Sequence, residues 1–157
     1  MNPAYRWPNP SRVYPVVRHV AQARTIEDLR FMARRRLPNF MYEYLEGGAD
    51  QELTLRRNGD ALDNFLWLGY IALDGNKVDL SATILGAPAR MPIVVAPTGF
   101  NGMLWRKGDL AIARAAAAAG IPAAQSTVSM RPIKEIAAVQ DLRHWFQLYG
   151  YGGMAVA

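Results

Sequence analysis

The spacing of apolar residues changes near residue 91. Before it, apolar positions recur at helical intervals; beyond it, short apolar runs alternate with helical stretches. Ile26, Leu29 and Ala33 share one helical face. That helix starts at Thr25, because Thr25-Ile26-Glu27-Asp28 approximates a capping box with Asp in the usual Glu position. Leu37-Pro38 ends it. A second helix is expected from Asn39 to Leu45, stopped by Gly47-Gly48. Asp50 is placed to cap a third, carrying Leu53, Leu55 and Leu62. Gly59 inside it costs about 1 kcal/mol relative to alanine. Val78, Leu80, Ala82 and Ile84 then alternate with polar residues ahead of Gly86 and Pro88, the pattern of a half-exposed strand and turn.

From Met91 the pattern is different. Pro92-Ile93-Val94-Val95-Ala96 reads as a strand covered on both faces. Pro97 lacks an N–H and forces the chain out of the ladder; Gly99 leaves its backbone open to close approach. Asp109 is expected to cap a helix over Leu110–Ala119 that exits at Gly120. A strand over Ile121–Gln125, a helix from Pro132 through Val139, and a strand over Trp145–Tyr149 follow. Strand, helix, strand, helix, strand implies right-handed βαβ units and a parallel sheet. Ligands bind such sheets at the C-terminal ends of the strands. The expected organisation is an irregular arm over residues 1–24, rich in proline, helices and a hairpin over 25–90, three strands and two helices over 91–149, and a glycine-rich tail over 150–157.

Composition narrows the chemistry. The 157 residues are 51% hydrophobic and 20% charged, ordinary for a globular chain. There is no cysteine, and His19 and His144 lack ligand-like spacing, so no metal site is expected. The net charge of +5 draws on Arg24, Arg30, Arg34, Arg35, Arg36, Arg56 and Arg57, read as solvated helix faces. No nucleic-acid-binding signature accompanies them, and no nucleic-acid partner is expected. No apolar run is long enough to span a bilayer and no signal-peptide stretch opens the chain. The expected location is cytoplasmic, with peripheral attachment to a membrane left open. Neither G-x-G-x-x-G nor G-x-x-x-x-G-K-[ST] occurs.

Five segments carry a resemblance: Tyr42-Glu43-Tyr44-Leu45-Glu46-Gly47-Gly48-Ala49-Asp50, Ala96-Pro97-Thr98-Gly99, Lys107-Gly108-Asp109, Gln125-Ser126-Thr127 and Phe146-Gln147-Leu148-Tyr149. In this order they resemble the FMN-dependent 2-hydroxy acid dehydrogenases and oxidases, over about residues 25–149. The mandelate dehydrogenase branch is nearest, through Leu45–Gly48 and Pro97-Thr98-Gly99-Phe100-Asn101-Gly102. The resemblance implies an α/β fold, the N-terminal portion of a (β/α)8 barrel behind a helical and β-hairpin cap, with the barrel incomplete. It implies FMN as cofactor, a 2-hydroxy acid of mandelate or lactate type as substrate, and homo-oligomers for intact members. It places the backbone of Ala96, Pro97, Thr98 and Gly99 along the flavin ring, Ser126 and Gln147 on the ring's polar atoms, and Tyr42 and Tyr149 toward the substrate. Each has a plainer reading taken singly: Gly99 as a tight turn, Ser126 as a capping hydroxyl, Gln147 as a strand residue, and the tyrosines as core-edge aromatics.

The family's histidine base, its substrate-binding arginine and its flavin-contacting lysine fall at positions with no counterpart in this sequence. No residue here is therefore assigned as catalytic. The expectation is an N-terminal fragment, inactive alone. Its alternatives are a non-catalytic module that pairs with a complementary half, and another FMN barrel enzyme.

Overall fold

The computed structural model describes residues 19–150, apart from Trp67, Tyr70, Ala72, Leu73, Asn76 and Lys77. Of the expected arm only residues 19–24 are described, and of the expected tail only Gly150. The fold is mixed α/β and divides into two compact units, Met1–Ile71 and Ala72–Ala157.

The first unit holds a 3-10 turn, Val20–Gln22, and helices α1 (Ile26–Arg36), α2 (Asn39–Glu46) and α3 (Leu53–Asp63). The capping box of α1 forms: the Asp28 N–H donates to Thr25 Oγ1 at 3.2 Å, and the Thr25 N–H to Asp28 Oδ2 at 3.0 Å. The Arg24 N–H adds a third bond to that carboxylate at 2.8 Å. The residue α1 buries is Met32; Ile26 is 78% exposed, contrary to the stripe expected. Periodicity fixes which residues share a face, not which face finds a partner. α2 buries Met41 and Tyr42 and is joined to α1 by the Arg30–Glu46 ion pair. Asp50 does not cap α3. The chain reverses through left-handed Asp50 and Glu52 (φ 51° and 57°), which puts Glu52 at the N-cap.

The second unit begins with a hairpin of β1 (Ala82–Ile84) and β2 (Ala87–Ala89), antiparallel, with Ala82 opposite Ala89. Leu85 and Gly86 both have positive φ, as a two-residue turn matched to strand twist requires. Val78 and Leu80 stay outside the strand expected to include them.

The parallel sheet runs from Val95 to β3 (Ala123–Ser126) to β4 (His144–Gln147). The strand expected over residues 92–96 contracts to one bridge at Val95. Its N–H donates to Pro122 O at 3.0 Å and its carbonyl accepts from Ala124 N at 2.9 Å. Pro92 and Pro97 have no N–H to extend the ladder, and the Ile93 N–H turns back to Met91 O. Ile93 is 52% exposed, so the segment is not covered on both faces. β3 starts at Ala123 because Pro122 cannot donate, and β4 ends at Gln147 because the Tyr149 N–H goes to Thr127 Oγ1.

Helices α4 (Asn101–Leu104), α5 (Gly108–Ala119) and α6 (Ile133–Ala137) connect the strands. α4 was not anticipated. Lys107, left-handed at φ 61°, is the N-cap of α5, so Asp109 lies inside the first turn and is not the cap expected. Gly120, at φ 67°, closes the helix as expected. Pro132 caps α6 instead of opening it. The core lies between α5 and α6: Leu110, Ala113 and Ile136, with Val139 and Leu142 against them.

Candidate functional site

Three loops leave the C-terminal ends of the parallel segments. The first contains Ala96, Pro97, Thr98 and Gly99, with all but Gly99 exposed. Its left-handed residue is Phe100, at φ 55°, so Gly99 is not there to make the tight turn. Among the described residues the N–H groups of Thr98 and Gly99 have no hydrogen-bond partner. The loop is pinned by Asn101, whose Nδ2 donates to Thr98 O at 2.9 Å and to Asp109 Oδ1 at 3.0 Å. Thr98 Oγ1 donates in return to Asn101 Oδ1 at 3.0 Å.

The second loop follows Ser126, which is almost fully buried. Ser126 and Gln147 are register partners on adjacent strands, so their side chains stand on the same face. Ser126 Oγ accepts from the Val128 N–H at 3.2 Å and donates to Gln147 Oε1 at 3.3 Å. That bond orients the Gln147 amide. Its Nε2 donates to no described residue. Thr127 Oγ1 donates to Gln147 O at 2.6 Å and accepts from the Tyr149 N–H at 3.0 Å, setting where Tyr149 leaves the sheet.

Tyr42 lies in the first unit; the other seven candidates lie in the second. Its ring is buried under the Arg34 guanidinium, 5.7 Å from the centroid. Arg30 nearby on α1 is held charged, its pKa raised first by the Glu46 carboxylate and also by the Tyr42 side chain, against the effect of burial.

On the opposite face of the sheet, toward the helices, Gln125 Nε2 donates to Arg131 O at 2.7 Å and Ser129 Oγ at 3.1 Å. Gln125 and His144 share with Thr98, Asn101 and Asp109 a cleft of about 20 Å³. That volume suits about one water molecule and excludes a flavin. The strand-end loops, with Ala96, Pro97 and Thr98 exposed, leave room for a flavin ring. There the donor set suits it: two free backbone N–H groups and an oriented amide N–H match the carbonyl and nitrogen acceptors along one edge of the ring.

Sequence reasoning gave no role to Thr127 or Arg143 and misread Asp109 as a cap. Arg143, beside β4, donates to the carbonyls of Ile84, Ala87 and Pro88 and so ties the hairpin to the sheet. A basic residue opening a strand carries no signal for that contact. Asn101 and Thr127 did carry one: side chains able to bond backbone, placed just past strand ends.

The site thus defines an α/β protein whose strand-end loops present donors suited to a flavin. The profile of the FMN-dependent dehydrogenases matches residues 33–156, and the chain belongs to that family. It is 44% identical over 124 residues to (S)-mandelate dehydrogenase of Pseudomonas putida, covering 79% of this chain and 32% of that protein. It is 44% identical over 122 residues to L-lactate dehydrogenase of Allorhizobium ampelinum, covering 78% and 32%. A solved structure of (S)-mandelate dehydrogenase, described as a monotopic membrane protein, superposes with a TM-score of 0.75 at 42% identity, covering 82% of this chain and 35% of that one. The chain spans about a third of the length of the curated relatives it matches. Among the described residues no helix is long and apolar enough to cross a membrane.

Proposed function

We propose that this chain supplies the ring-contacting loops of an FMN-dependent enzyme that oxidises a 2-hydroxy acid to the 2-oxo acid. The observation that carries the reading is the Ser126–Gln147 pair: register partners at the ends of parallel strands, bonded at 3.3 Å through Gln147 Oε1, with the amide Nε2 given to no described residue. The three parallel segments are the first three strands of a (β/α)8 barrel, and residues 25–90 belong to a helical and hairpin cap. Ala96, Pro97, Thr98 and Gly99 face the ring, with Thr98 and Gly99 N–H as donors. Ser126 holds Gln147, and Gln147 donates to a ring carbonyl. Tyr149 and Tyr42 face the substrate, where a phenol hydroxyl can donate to a carboxylate. FMN, when bound, accepts the two electrons of the oxidation. Donors fixed at the ring's polar edge favour the charge gained on reduction. Abstraction of the substrate proton needs a base that none of these residues provides. We place the protein in the cytoplasm, free or peripherally attached to a membrane. A relative solved as a monotopic membrane protein supports including attachment.

The test is titration of the purified chain with FMN, followed by flavin fluorescence, then anaerobic addition of mandelate or lactate. Quenching is expected for the wild type, with affinity lowered about tenfold or more in Ser126→Ala/Gln147→Ala, two hydrogen-bonding groups having been removed. Negligible bleaching by substrate is expected. Absence of quenching would overturn the flavin reading; rapid bleaching would overturn the statement about the base.

A second reading, that the chain is a non-catalytic module pairing with a complementary polypeptide, is favoured by the outer edge of β4. Among the described residues that edge has no strand neighbour.

A further inference from the structure

Asp109 is a buried carboxylate, 7% exposed, in the first turn of α5, with neither a cation among the described residues nor the cap role to explain it. Both its oxygens are used: Oδ1 accepts from Asn101 Nδ2 at 3.0 Å, and Oδ2 from the Met130 N–H at 3.3 Å. Asn101 spends the rest of its amide on one residue, Thr98, giving to its carbonyl and accepting from its hydroxyl. The Phe100 N–H, between them, donates to Val128 O at 3.2 Å. Asp109 thus joins three things: the first turn of α5, the loop after Val95 and the loop after β3. The packing leaves no slack. A Cβ on Gly108 would lie 2.4 Å from Asn101 O, so only glycine lets the helix approach this closely.

We infer that Asn101 and Asp109 are positioning residues for the flavin ring: the carboxylate fixes the Asn101 amide, and the amide fixes the Thr98–Gly99 backbone whose N–H groups face the cofactor. This rests on the flavin reading above. Neither residue touches the ring. A carboxyl side chain suits this position because its two oxygens accept from two donors at once. A neutral amide in its place would present a donor to one of them and lose that bond.

The discriminating variant is the exchange Asn101→Asp/Asp109→Asn. Residue 109 then donates to residue 101 and still accepts from the Met130 N–H, so the link between helix and loops survives. The bond to Thr98 O does not, because a carboxylate oxygen now faces it. Three quantities are read on the full chain: thermal midpoint, FMN affinity by fluorescence quenching, and nitrogen-15 relaxation of the Thr98 and Gly99 amides. The expected result is a midpoint lowered less than in Asn101→Ala, faster local motion at Thr98 and Gly99, and FMN affinity about fivefold to tenfold weaker, the effect of one lost hydrogen bond. Asn101→Ala is expected to lower affinity and midpoint together. Unchanged affinity and unchanged amide motion in the exchanged variant would overturn the inference while leaving the flavin reading intact. A wild-type chain that binds no FMN would instead overturn the flavin reading, whatever the amides show, and with it the cofactor role given to the pair.

Discussion

Thr127 shows how much one hydroxyl can decide at a strand end. Its Oγ1 donates to Gln147 O and accepts from the Tyr149 N–H, so a side chain takes over where the β3–β4 ladder stops. The neighbouring residues inherit their geometry from it: Gln147 is fixed at its carbonyl by Thr127 and at its amide by Ser126. Thr127→Val keeps the shape and the β-branch but removes both bonds. It is expected to cost about 1 kcal/mol or somewhat more, because the part-buried Gln147 carbonyl and the exposed Tyr149 N–H both lose their partner. It is also expected to release Tyr149, seen as a change in that residue's amide shift and exchange rate. A valine variant with wild-type stability and an unshifted Tyr149 amide would show that the backbone holds this corner without the hydroxyl.

Among the elements, α1 offers the cleanest link between a short sequence signal and a measurable response. Three backbone N–H groups or their side-chain counterparts converge on its start, and the Asp28 carboxylate takes two of them, from Arg24 and Thr25. The Arg24 N–H is the largest influence holding the Asp28 carboxyl below its ordinary pKa of 3.8; desolvation opposes it, and Thr25 adds to the lowering. A folded-state pKa below the unfolded one means the contribution is fully present above 3.8 and is lost as pH falls through the lower folded value. The thermal midpoints of wild type and Asp28→Asn should therefore differ by a constant amount near neutral pH and converge in acid below 3.8. A gap independent of pH would deny the carboxylate this role. The capping box and the glycine exit of α5 were legible in sequence because each is a local bargain between a side chain and its nearest backbone. The strand over residues 92–96 was not, because a ladder depends on which neighbour is present, and two prolines left only Val95 able to join one. Asp109 was misread for a related reason. Its spacing before an alanine-rich run matches a cap, but left-handed Lys107 starts the helix earlier and turns the carboxylate inward to Asn101 and Met130. Ser126 and Gln147 were found through the likeness of their motifs to a family, and their register explains why such motifs sit on neighbouring strands.

At the scale of the molecule, the core of the second unit is one-sided. Leu110, Ala113 and Ile136 close the space between α5 and α6. On the sheet, by contrast, Ile93 and Phe146 remain substantially exposed, and β4 has a strand neighbour on one edge only among the described residues. Exposed apolar side chains beside unpaired N–H and C=O groups form a surface that binds further strands. The relatives are about three times as long as the stretch matched here. Under the proposed function, the rest of such a sequence carries what this surface and this site both lack: strands to continue the sheet and a base for the substrate proton. Co-expression with a second polypeptide, the part of the Pseudomonas putida (S)-mandelate dehydrogenase sequence that follows the matched stretch, tests both at once. The expected outcome is a one-to-one complex that retains FMN through size exclusion and bleaches with mandelate in the absence of air. The chain alone should quench flavin fluorescence weakly and self-associate as concentration rises. Should the chain instead remain a monomer with a sharp thermal transition, and ignore the second polypeptide, the open edge would have no assembly role and the module reading would fall. Retained FMN without bleaching would separate the two claims, supporting completion of the sheet while showing that the base is still out of place.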